Sequence, residues 1–424
     1  MLKRRIGVTL LVSMMVLLIM VSVAFTKTTL VVATEDRPLQ RVISNLTPEF
    51  EKMTDIIIQY VYYPSAELRS KMRLDASLGT GEFQVMYITE ASINEMGSNG
   101  WLVPIKEFYP EKYDFNDFLP SIVNILSDNG IDYGAPLQAE TTWLMYRKDL
   151  FEKDGIKVPV TLDEYIKVCQ HFYQPPDMFG GVVRGDRGHG YNVWRWNQFF
   201  AVCGGKYMED GKWVFDKYID AAVKATEYYI EVIKTSPPGG EKFSYLDAWD
   251  AFNAGRVATF IGASAKYGTT ENPEESLVAG KVGYAPPPYY SNPVAAGGAH
   301  GYVISSVGCK TDDMRKLAGE FIGWATSKEM ELARVKDGKE ALNCTRKSTF
   351  ESEEFKKQIP AEVLKALSDT LAINVQVPPT IPQWPEIGDN LGVILEELFT
   401  GTRKDIKVGL EEANAFALKI LGTK

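Results

Sequence analysis

The first part of the chain alternates short apolar runs with apolar positions at helical spacing. Residues 29–33 are β-branched and apolar, as a buried strand requires, and an apolar face with a period near 3.6 follows over residues 39–50. The alternation continues with a strand at 55–61, a helix at 66–78 and a strand at 85–88. A β-α-β-α-β order predicts a parallel sheet with right-handed crossovers and helices on both faces.

Polar residues follow two of these predicted strands directly. Glu35 and Asp36 come after the first strand, and Thr89 and Glu90 come after the third. Ligands of open α/β sheets bind beyond the carboxyl ends of the strands, so these side chains are candidate ligand contacts. Asp36 also precedes the first helix, where it is expected to act as a cap, which makes Glu35 the better ligand candidate. Pro48 is expected to kink or end this helix.

Later segments continue the mixture of helices and strands. Tyr133-Gly134-Ala135-Pro136 is expected to interrupt regular structure, and the apolar run 143–146 is predicted as a strand. A helix is predicted over 221–233, where Ala222, Ala225, Tyr229 and Val232 form an apolar stripe at helical spacing. The sequence therefore predicts an α/β protein.

Length and charge narrow the class of protein. A chain of 424 residues is too long for one ordinary core, so two domains are expected. Its formal net charge is −9, and removal of the three basic residues near the amino terminus would make it −12. An acidic chain argues against nucleic acid and anionic membrane surfaces as partners.

The amino terminus has the form of a secretory signal. Lys3-Arg4-Arg5 precedes an apolar run over residues 6–25, and Ser22-Val23-Ala24 offers small residues for cleavage. We expect residues 1–26 to be removed and the protein to be periplasmic or extracellular. The alternative is an uncleaved anchor, because the run is nearly long enough to span a bilayer. No cysteine lies near this segment, so a lipid anchor has no attachment point.

Cysteine and histidine usage gives no sign of a metal site or a cofactor. Four cysteines allow up to two disulfides in three full pairings, although a chain of this size does not need them. Their spacings match no zinc pattern, and only three histidines are present. These residues are Cys169, Cys203, Cys309 and Cys344, with His171, His189 and His300.

Several motifs, taken in order, carry a family resemblance. They are YGAPLQAETTWLMYRKDLFEKDGI at 133–156, AWDAFNAGRVATFIGAS at 248–264 and VQVPPTIPQWPEIGDNLGVILEELFTG at 375–401. The ordered set resembles family 1 of the extracellular solute-binding proteins, which are the sugar-binding proteins of ABC importers. The resemblance covers nearly the whole chain after the signal.

The resemblance implies a periplasmic-binding-protein fold of type II, with two discontinuous lobes, a ligand cleft and a hinge. Lobe one is expected to hold residues 27–137 and 297–345, and lobe two residues 138–296 and 346–424. The chain would cross between the lobes near 133–140, 293–298 and 343–347.

The same resemblance nominates ligand residues. Glu140 matches a carboxylate that binds sugar hydroxyls in the family, although an ion pair between lobes would also explain it, and Gln138 is a weaker candidate. Trp194 matches a ring position. Trp196 lies two residues on, so in an extended chain both rings would face one way. Trp143 and Trp384 are further aromatic candidates.

Small and basic residues complete the predicted site. Gly297 and Gly298 would let backbone approach a ligand, His300 could supply a donor, and Arg346 could clamp an anion. Where the family usually has a stacking Trp, this chain has Ser264 within Gly-Ala-Ser-Ala. A long oligosaccharide is therefore less expected than a small sugar, a polyol or a polar derivative.

The sequence thus predicts a secreted receptor, not an enzyme, which closes on a carbohydrate or polyol and delivers it to the transmembrane subunits of an ABC permease. It is expected to be a monomer. One alternative is a receptor for an anionic or non-sugar solute, such as a sugar phosphate, a sugar acid or a peptide. A carbohydrate hydrolase would need two carboxylates across the scissile bond, and no motif provides such a pair.

Overall fold

The structure is a computed structural model that describes residues 27–188, 190–209, 211–337, 342–375 and 377–422. The predicted signal segment and His189 lie outside the described residues. Among the helices that it does describe, none has the length and apolarity needed to cross a membrane.

The first sheet begins with the predicted βαβαβ unit. Strands β1 (Thr28–Thr34), β2 (Ile56–Tyr62) and β3 (Val85–Thr89) are connected by helices α1 (Pro38–Met53) and α2 (Ser65–Leu78). β1 lies in the middle and pairs in parallel with both β2 and β3. The predicted parallel unit is confirmed.

A distant strand completes this sheet. β15 (Gly298–Ser305) pairs antiparallel with β3. The other edge of β15 pairs with β4 (Leu102–Val103) and with β7 (Gly134–Glu140). Residues more than 150 positions apart in the chain therefore share one sheet, which is why this part of the fold is discontinuous.

The predicted interruption at residues 133–136 is wrong, because β7 runs through it. The β7–β15 ladder shifts register between His300 and Gly301, and Pro136 lies opposite Gly301 at this irregularity. A proline has no N–H to give to a ladder, so it is tolerated where the pairing is already irregular.

The second sheet is formed by β8 (Thr142–Arg147), β9 (Phe179–Val182), β12 (Val257–Ala263) and β13 (Val282–Ala285). Their order is β13-β8-β12-β9. β9 and β12 are parallel, whereas β8 is antiparallel to both of its neighbours. Strands β7 and β8 follow one another in sequence but belong to different sheets, so the chain passes between the sheets at Thr141.

The remaining elements surround these two sheets. The helices are α3 (Glu90–Ser98), α4 (Pro120–Ile125), α5 (Lys148–Asp154), α6 (Leu162–His171), α7 (Asn192–Val202), α8 (Ile219–Lys234), α9 (Tyr245–Asn253), α10 (Tyr267–Thr270), α11 (Asp312–Ala325), α12 (Lys328–Asp337), α13 (Lys347–Phe350), α14 (Glu353–Gln358), α15 (Ala361–Ala372), α16 (Trp384–Phe399) and α17 (Ile406–Leu421). The two-residue strands are β5 (Ser127–Asp128), β6 (Ile131–Asp132), β10 (Met208–Glu209), β11 (Lys212–Trp213), β14 (Ala295–Ala296) and β16 (Asn374–Val375).

Helix α1 differs from its predicted ends. Arg37 is the N-cap and its side chain makes no capping bond, so the expected cap at Asp36 is wrong. The Asp36 carboxylate instead accepts a hydrogen bond from Arg41 Nε at 2.6 Å. The helix also continues through Pro48 to Met53, so Pro48 does not end it.

The cores follow the apolar faces that the sequence predicts. Leu39, Ile43 and Phe50 of α1 are buried against the first sheet. On α8 the predicted stripe of Ala222, Ala225, Tyr229 and Val232 is buried in a second core, which also contains side chains of α16 and α17. All four cysteines are buried with free thiols.

Candidate functional site

Polar side chains from both sheets converge at the carboxyl ends of their parallel strands. On the first sheet Glu35 follows β1 and Glu90 follows β3, and on the second Arg184 follows β9 by two residues and Ser264 follows β12. This is the edge at which α/β sheets bind ligands. The sequence prediction for Glu35 and Glu90 relied on the same rule.

Three separate segments of the chain meet where the sheets join. The Thr141 hydroxyl donates to Asn374 Oδ1 at 2.8 Å, and Asn374 Nδ2 donates to the Glu140 carbonyl at 3.3 Å. The Gly297 N–H donates to the Val375 carbonyl at 3.0 Å. A side chain at Gly297 would clash with the Asn374 amide and with the Glu140 carbonyl, so this contact requires glycine.

Arg37 and Glu35 form an ion pair on the first sheet's side of the site. The Arg37 Nε lies 2.5 Å from Glu35 Oε2, and the Glu35 side chain is only 6% exposed. Arg37 also lies within electrostatic range of Glu140. The pair therefore holds a fixed cation at the wall of the site.

A hydrogen-bonded group of side chains lies next to this pair. Gln138 Nε2 donates to Glu140 Oε1 at 3.0 Å, and the Tyr87 hydroxyl donates to Gln138 Oε1 at 3.4 Å. Tyr87 Oη lies 2.5 Å from His300 Nδ1. Three predicted ligand residues, Gln138, Glu140 and His300, are thus brought together.

Glu140 faces cations from both sheets. Burial raises the pKa of its carboxyl, and Arg37, Arg184 and Arg195 oppose that rise. Within the described part of the chain its Oε1 is bonded to Gln138, whereas no hydrogen bond reaches Oε2. One carboxylate oxygen is therefore free to accept a bond from a ligand.

Two buried arginines of the second sheet's side face Glu140. Arg195 NH1 donates to the Thr142 hydroxyl at 3.0 Å, but its Nε and NH2 have no partner among the described residues. The Arg184 guanidinium lies 4.3 Å from the centre of the Tyr245 ring, and its Nε is likewise unpaired. Burial together with repulsion from Arg184 lowers the pKa of Arg195 to about 9.

Buried, unpaired guanidinium nitrogens are costly, because a donor that has left water needs an acceptor. Asp186 adds an acidic group beside Arg184, and its Oδ1 is also buried without a partner in the described structure. Four charged groups with unsatisfied atoms are thus held close together, an arrangement that a polar ligand would complete.

A cavity of about 790 Å³ lies beside Glu140 and reaches from one sheet to the other. Arg184, Arg195 and Asp186 do not line it, but Arg184 lies against the ring of Tyr245, which does. Its walls include Arg37, Gln138, Glu140, Tyr245 and Lys266. Its size falls within the 300–1,000 Å³ range that is usual for small-molecule sites.

Glu90, Thr89 and Gly298 lie behind the wall of this cavity. The Glu90 side chain is 10% exposed, and its Oε2 is buried without a hydrogen bond in the described structure. Burial raises the pKa of Glu90 to about 7. A Cβ at Gly298 would lie 3.0 Å from Glu90 Oε2, so the backbone approaches this carboxylate closely.

The predicted aromatic residues are not gathered at the cavity. Trp143 packs 4.4 Å from Tyr284, and Trp384 packs 4.9 Å from Tyr207, both between ring centres in the cores. Trp196 is fully buried and donates to the Thr226 hydroxyl at 3.0 Å.

The prediction that Trp194 and Trp196 face the same way is wrong, because both lie on α7 and not on a strand. Two positions along a helix turn the side chain by about 200°. Trp194 is half-buried on the other side of the helix.

Arg346 is also absent from the cavity. Its Nε donates to the Thr326 carbonyl at 2.7 Å, its NH1 lies 3.2 Å from Asp117 Oδ2, and its NH2 donates to the Tyr109 hydroxyl at 2.7 Å. The guanidinium is only 1% exposed. Its donors are committed to the protein, so it cannot clamp a ligand.

Ser264 and Gly297 form hydrogen bonds at the place where the two sheets join. The Ser264 hydroxyl accepts from the Thr141 N–H at 3.1 Å, and the Ser264 N–H donates to the Thr141 carbonyl at 2.8 Å. The position at which a stacking ring was expected therefore fixes the backbone where the chain passes between the sheets.

Sequence reasoning did not include Tyr87, Arg184 and Tyr245 among the site residues. A usable signal exists for Arg184, because it follows the short buried strand β9 as Glu35 follows β1. Arg195 and Tyr245 lie on helices, and only the tertiary packing brings them to the site.

The model of the family "Bacterial extracellular solute-binding protein" matches residues 33–331. This is well over half of the chain, and the protein therefore belongs to that family of extracellular solute-binding proteins.

Individual relatives agree with this assignment. The mannitol-binding protein of Pseudomonas aeruginosa is 26% identical over 392 residues, which cover 88% of each chain. A solute-binding protein of an ABC transporter from Agrobacterium vitis S4, solved with D-mannitol, has a TM-score of 0.74 and 26% identity, with 93% of this chain and 98% of that chain covered. A ribitol complex from Agrobacterium radiobacter K84 has a TM-score of 0.78 and 24% identity over 93% and 99% of the two chains. The predicted two-lobed periplasmic-binding-protein fold is confirmed.

Proposed function

We propose that this protein captures a small linear polyol between its two lobes and delivers it to an ABC permease. The observation that carries the proposal is a cavity lined by Gln138, Glu140 and Tyr245, with the unpaired guanidinium nitrogens of Arg184 and Arg195 close to Glu140. A ligand that donates and accepts at neighbouring atoms would satisfy both sides at once.

The balance of charge favours a neutral ligand. Glu140 and Asp186 are acidic, Arg184 and Arg195 are basic, and Arg37 is already paired with Glu35. A hydroxyl group can accept from a guanidinium while it donates to a carboxylate. A row of adjacent hydroxyls therefore matches an alternating set of acidic and basic groups without bringing charge of its own.

The placement of the aromatic residues favours an open chain over a sugar ring. Pyranose rings stack on exposed aromatic faces, yet Trp143, Trp196 and Trp384 are packed in the cores. Tyr245 does line the cavity, but the Arg184 guanidinium lies over its ring. Binding by charged and amide groups, and not by stacking, suits a flexible polyol.

The names of similar proteins support this choice. The relatives described above are named for mannitol or were solved with D-mannitol or ribitol. A further relative, from Mycolicibacterium smegmatis, is named as an erythritol/L-threitol-binding protein and is 24% identical over 327 residues.

We propose hinge closure as the mechanism. The first passage between lobes is assigned to Thr141, because β7 ends at Glu140 in one sheet and β8 begins at Thr142 in the other. Ligand contacts with both lobes would bias the protein towards a closed state, and the permease would recognise that state. The proposal keeps the predicted boundaries, with 27–137 and 297–345 in lobe one and 138–296 and 346–424 in lobe two.

The remaining expectations complete the proposal. The protein acts after cleavage of residues 1–26, as a secreted monomer that binds its ligand without converting it and has no nucleic acid partner. The family's extracellular members and the acidic composition support this part.

A second candidate is a polyol that carries a carboxylate, such as an aldonic acid. Arg184 and Arg195 are close enough to repel one another, which lowers the pKa of Arg195, and an anion would relieve that repulsion. Glu140 and Asp186 oppose this alternative.

A thermal-shift screen tests the two candidates against each other. The protein from residue 27 onward is heated with D-mannitol, ribitol, erythritol, maltose, glucose and gluconate, because a ligand that binds only the folded state raises the melting temperature. The proposal predicts saturable shifts with one or more of the neutral polyols. A shift with gluconate alone would favour the acid, and a shift with maltose alone would refute the linear polyol.

A further inference from the structure

A continuous row of polar side chains connects Glu90, behind the cavity wall, to Glu140 at the cavity. Glu90 Oε2 lies 3.7 Å from His300 Nε2, and His300 Nδ1 lies 2.5 Å from Tyr87 Oη. Tyr87 Oη then lies 3.4 Å from Gln138 Oε1, and Gln138 Nε2 donates to Glu140 Oε1 at 3.0 Å. The first link exceeds the usual hydrogen-bond length by roughly 0.5 Å and the Tyr87–Gln138 link by roughly 0.4 Å, so each needs a small side-chain shift to shorten.

The tautomer of His300 determines which atoms donate and which accept hydrogen bonds along this row. Burial, with repulsion from Arg37 and Arg69, lowers the pKa of its imidazole to about 3, so the ring is neutral at any working pH. A neutral imidazole donates from one nitrogen and accepts at the other. The hydroxyl of Tyr87 has a single proton, so it can donate to His300 or to Gln138 but not to both.

Glu90 is the group in this row that changes charge near neutral pH. It is the first residue of α3, it is buried, and its pKa is about 7. The charged and titratable groups around it are His300 on β15, Glu140 on β7 and Arg69 on α2. Tyr87 contacts the other ring nitrogen of His300, and Arg37 lies within electrostatic range of that ring.

We propose that Glu90 is a positioning residue for ligand binding: acting through His300 and Tyr87, its proton decides whether the carbonyl oxygen of Gln138 is available to the ligand. When Glu90 is ionised, it accepts the Nε2 proton of His300, and Nδ1 then accepts the Tyr87 hydroxyl. Gln138 Oε1 receives no bond from Tyr87 and is free to accept from a ligand hydroxyl.

Protonation of Glu90 reverses the donor and the acceptor in its bond to His300 and in the bond of His300 to Tyr87. The Glu90 hydroxyl donates to His300 Nε2, the Nδ1 proton is donated to the Tyr87 oxygen, and the Tyr87 hydroxyl donates to Gln138 Oε1. The two states differ by one proton, which comes from solvent. Binding at Gln138 therefore favours ionised Glu90, so ligand affinity rises with pH and ligand binding releases protons near pH 7.

The test is calorimetric titration of the purified protein with D-mannitol between pH 5.5 and 8.5, in two buffers of different ionisation enthalpy. We expect the dissociation constant to be several-fold larger at pH 5.5 than at pH 8.5, with proton release near pH 7. In Glu90→Gln, which cannot ionise, both effects disappear. The matched control is Glu95→Gln on the same helix, whose carboxylate pairs at the surface with Arg73 and which should keep the wild-type profile.

A wild-type affinity that does not change with pH, or a Glu90→Gln variant that keeps the wild-type profile, overturns the proposal. If Glu90→Gln does not fold, the wild-type protein provides the test: proton release near pH 7 on ligand binding supports the proposal, and its absence overturns it. The proposal rests on the polyol site, and failure of that site is recognised separately because D-mannitol then does not bind. In that case nitrogen NMR of the His300 ring tests the relay without ligand: its tautomer should change between pH 5.5 and 8.5, and an unchanged tautomer overturns the proposal.

Discussion

Replacement of Glu140 by Gln separates a ligand-binding role from a structural one. The amide keeps the size of the side chain and can still accept from Gln138 Nε2, which donates to Oε1 at 3.0 Å. What it removes is the charge and one acceptor, at an oxygen that no other described side chain uses. The variant therefore changes little except the proposed contact with the ligand.

The expected loss in affinity follows from one charge-assisted hydrogen bond. Such a bond contributes about 1.5–3 kcal/mol, and each 1.4 kcal/mol is a factor of ten in the dissociation constant. Glu140→Gln should therefore weaken binding of D-mannitol by about 10- to 100-fold, measured by calorimetric titration at pH 7.5.

Glu140→Gln should not destabilise the folded protein, although it weakens ligand binding. Burial raises the pKa of Glu140 despite three nearby arginines, so the folded protein disfavours the ionised form relative to a neutral one. A neutral amide should leave the unfolding midpoint unchanged or raise it.

The control is Glu275→Gln, an exposed carboxylate at the rim of the same cavity, which should bind within about twofold of wild type. A large loss of stability with unchanged affinity would refute the reasoning and make Glu140 a structural ion pair.

Three further variants test other parts of the structure. Arg346→Met should lower the free energy of unfolding by about 1–3 kcal/mol, since it leaves the buried Thr326 carbonyl without its donor, while the dissociation constant for the ligand stays the same. Gly297→Ala should destabilise the protein by more than about 2 kcal/mol in urea unfolding, because an added Cβ meets backbone and the Asn374 amide; Gly190→Ala, where a Cβ meets nothing, is the control. Glu90→Gln should remove a pH dependence: with a folded pKa of about 7 against an ordinary 4.5, wild type loses about 3 kcal/mol of stability as pH rises from 4.5 to 7, and the variant should not. Equal urea midpoints for wild type and this variant at pH 8 would contradict the assignment.

The first sheet and the buried faces of the helices were predicted correctly from the sequence, because both depend on local periodicity. The alternation of strands and helices up to residue 88 predicts a parallel sheet, which the structure has. The apolar stripe on α8 is buried, as its spacing predicts. The rule that ligands bind beyond strand ends nominated Glu35, and the family motif nominated Gln138 and Glu140. Their contact with a ligand stays a prediction.

The errors concern features that depend on tertiary contacts. Residues 133–136 were expected to interrupt regular structure, but a register shift in the pairing with the distant strand β15 accommodates Pro136. Arg346 was offered as a ligand contact because most sequence patterns do not distinguish a buried structural arginine from a functional one; its partners at Tyr109, Asp117 and Thr326 come from three other elements. Arg184 and Arg195 approach Glu140 from a strand end and from a helix, and no sequence spacing relates them.

Small-angle X-ray scattering, with and without a saturating polyol, tests directly whether the two lobes close when the ligand binds. The protein from residue 27 onward would be measured alone, with D-mannitol, and with maltose as a comparison. We expect the radius of gyration to fall when the polyol binds, because its contacts with groups of both lobes, among them Glu140, draw the lobes together. Binding confirmed by calorimetry with no change in the radius of gyration would contradict capture by closure.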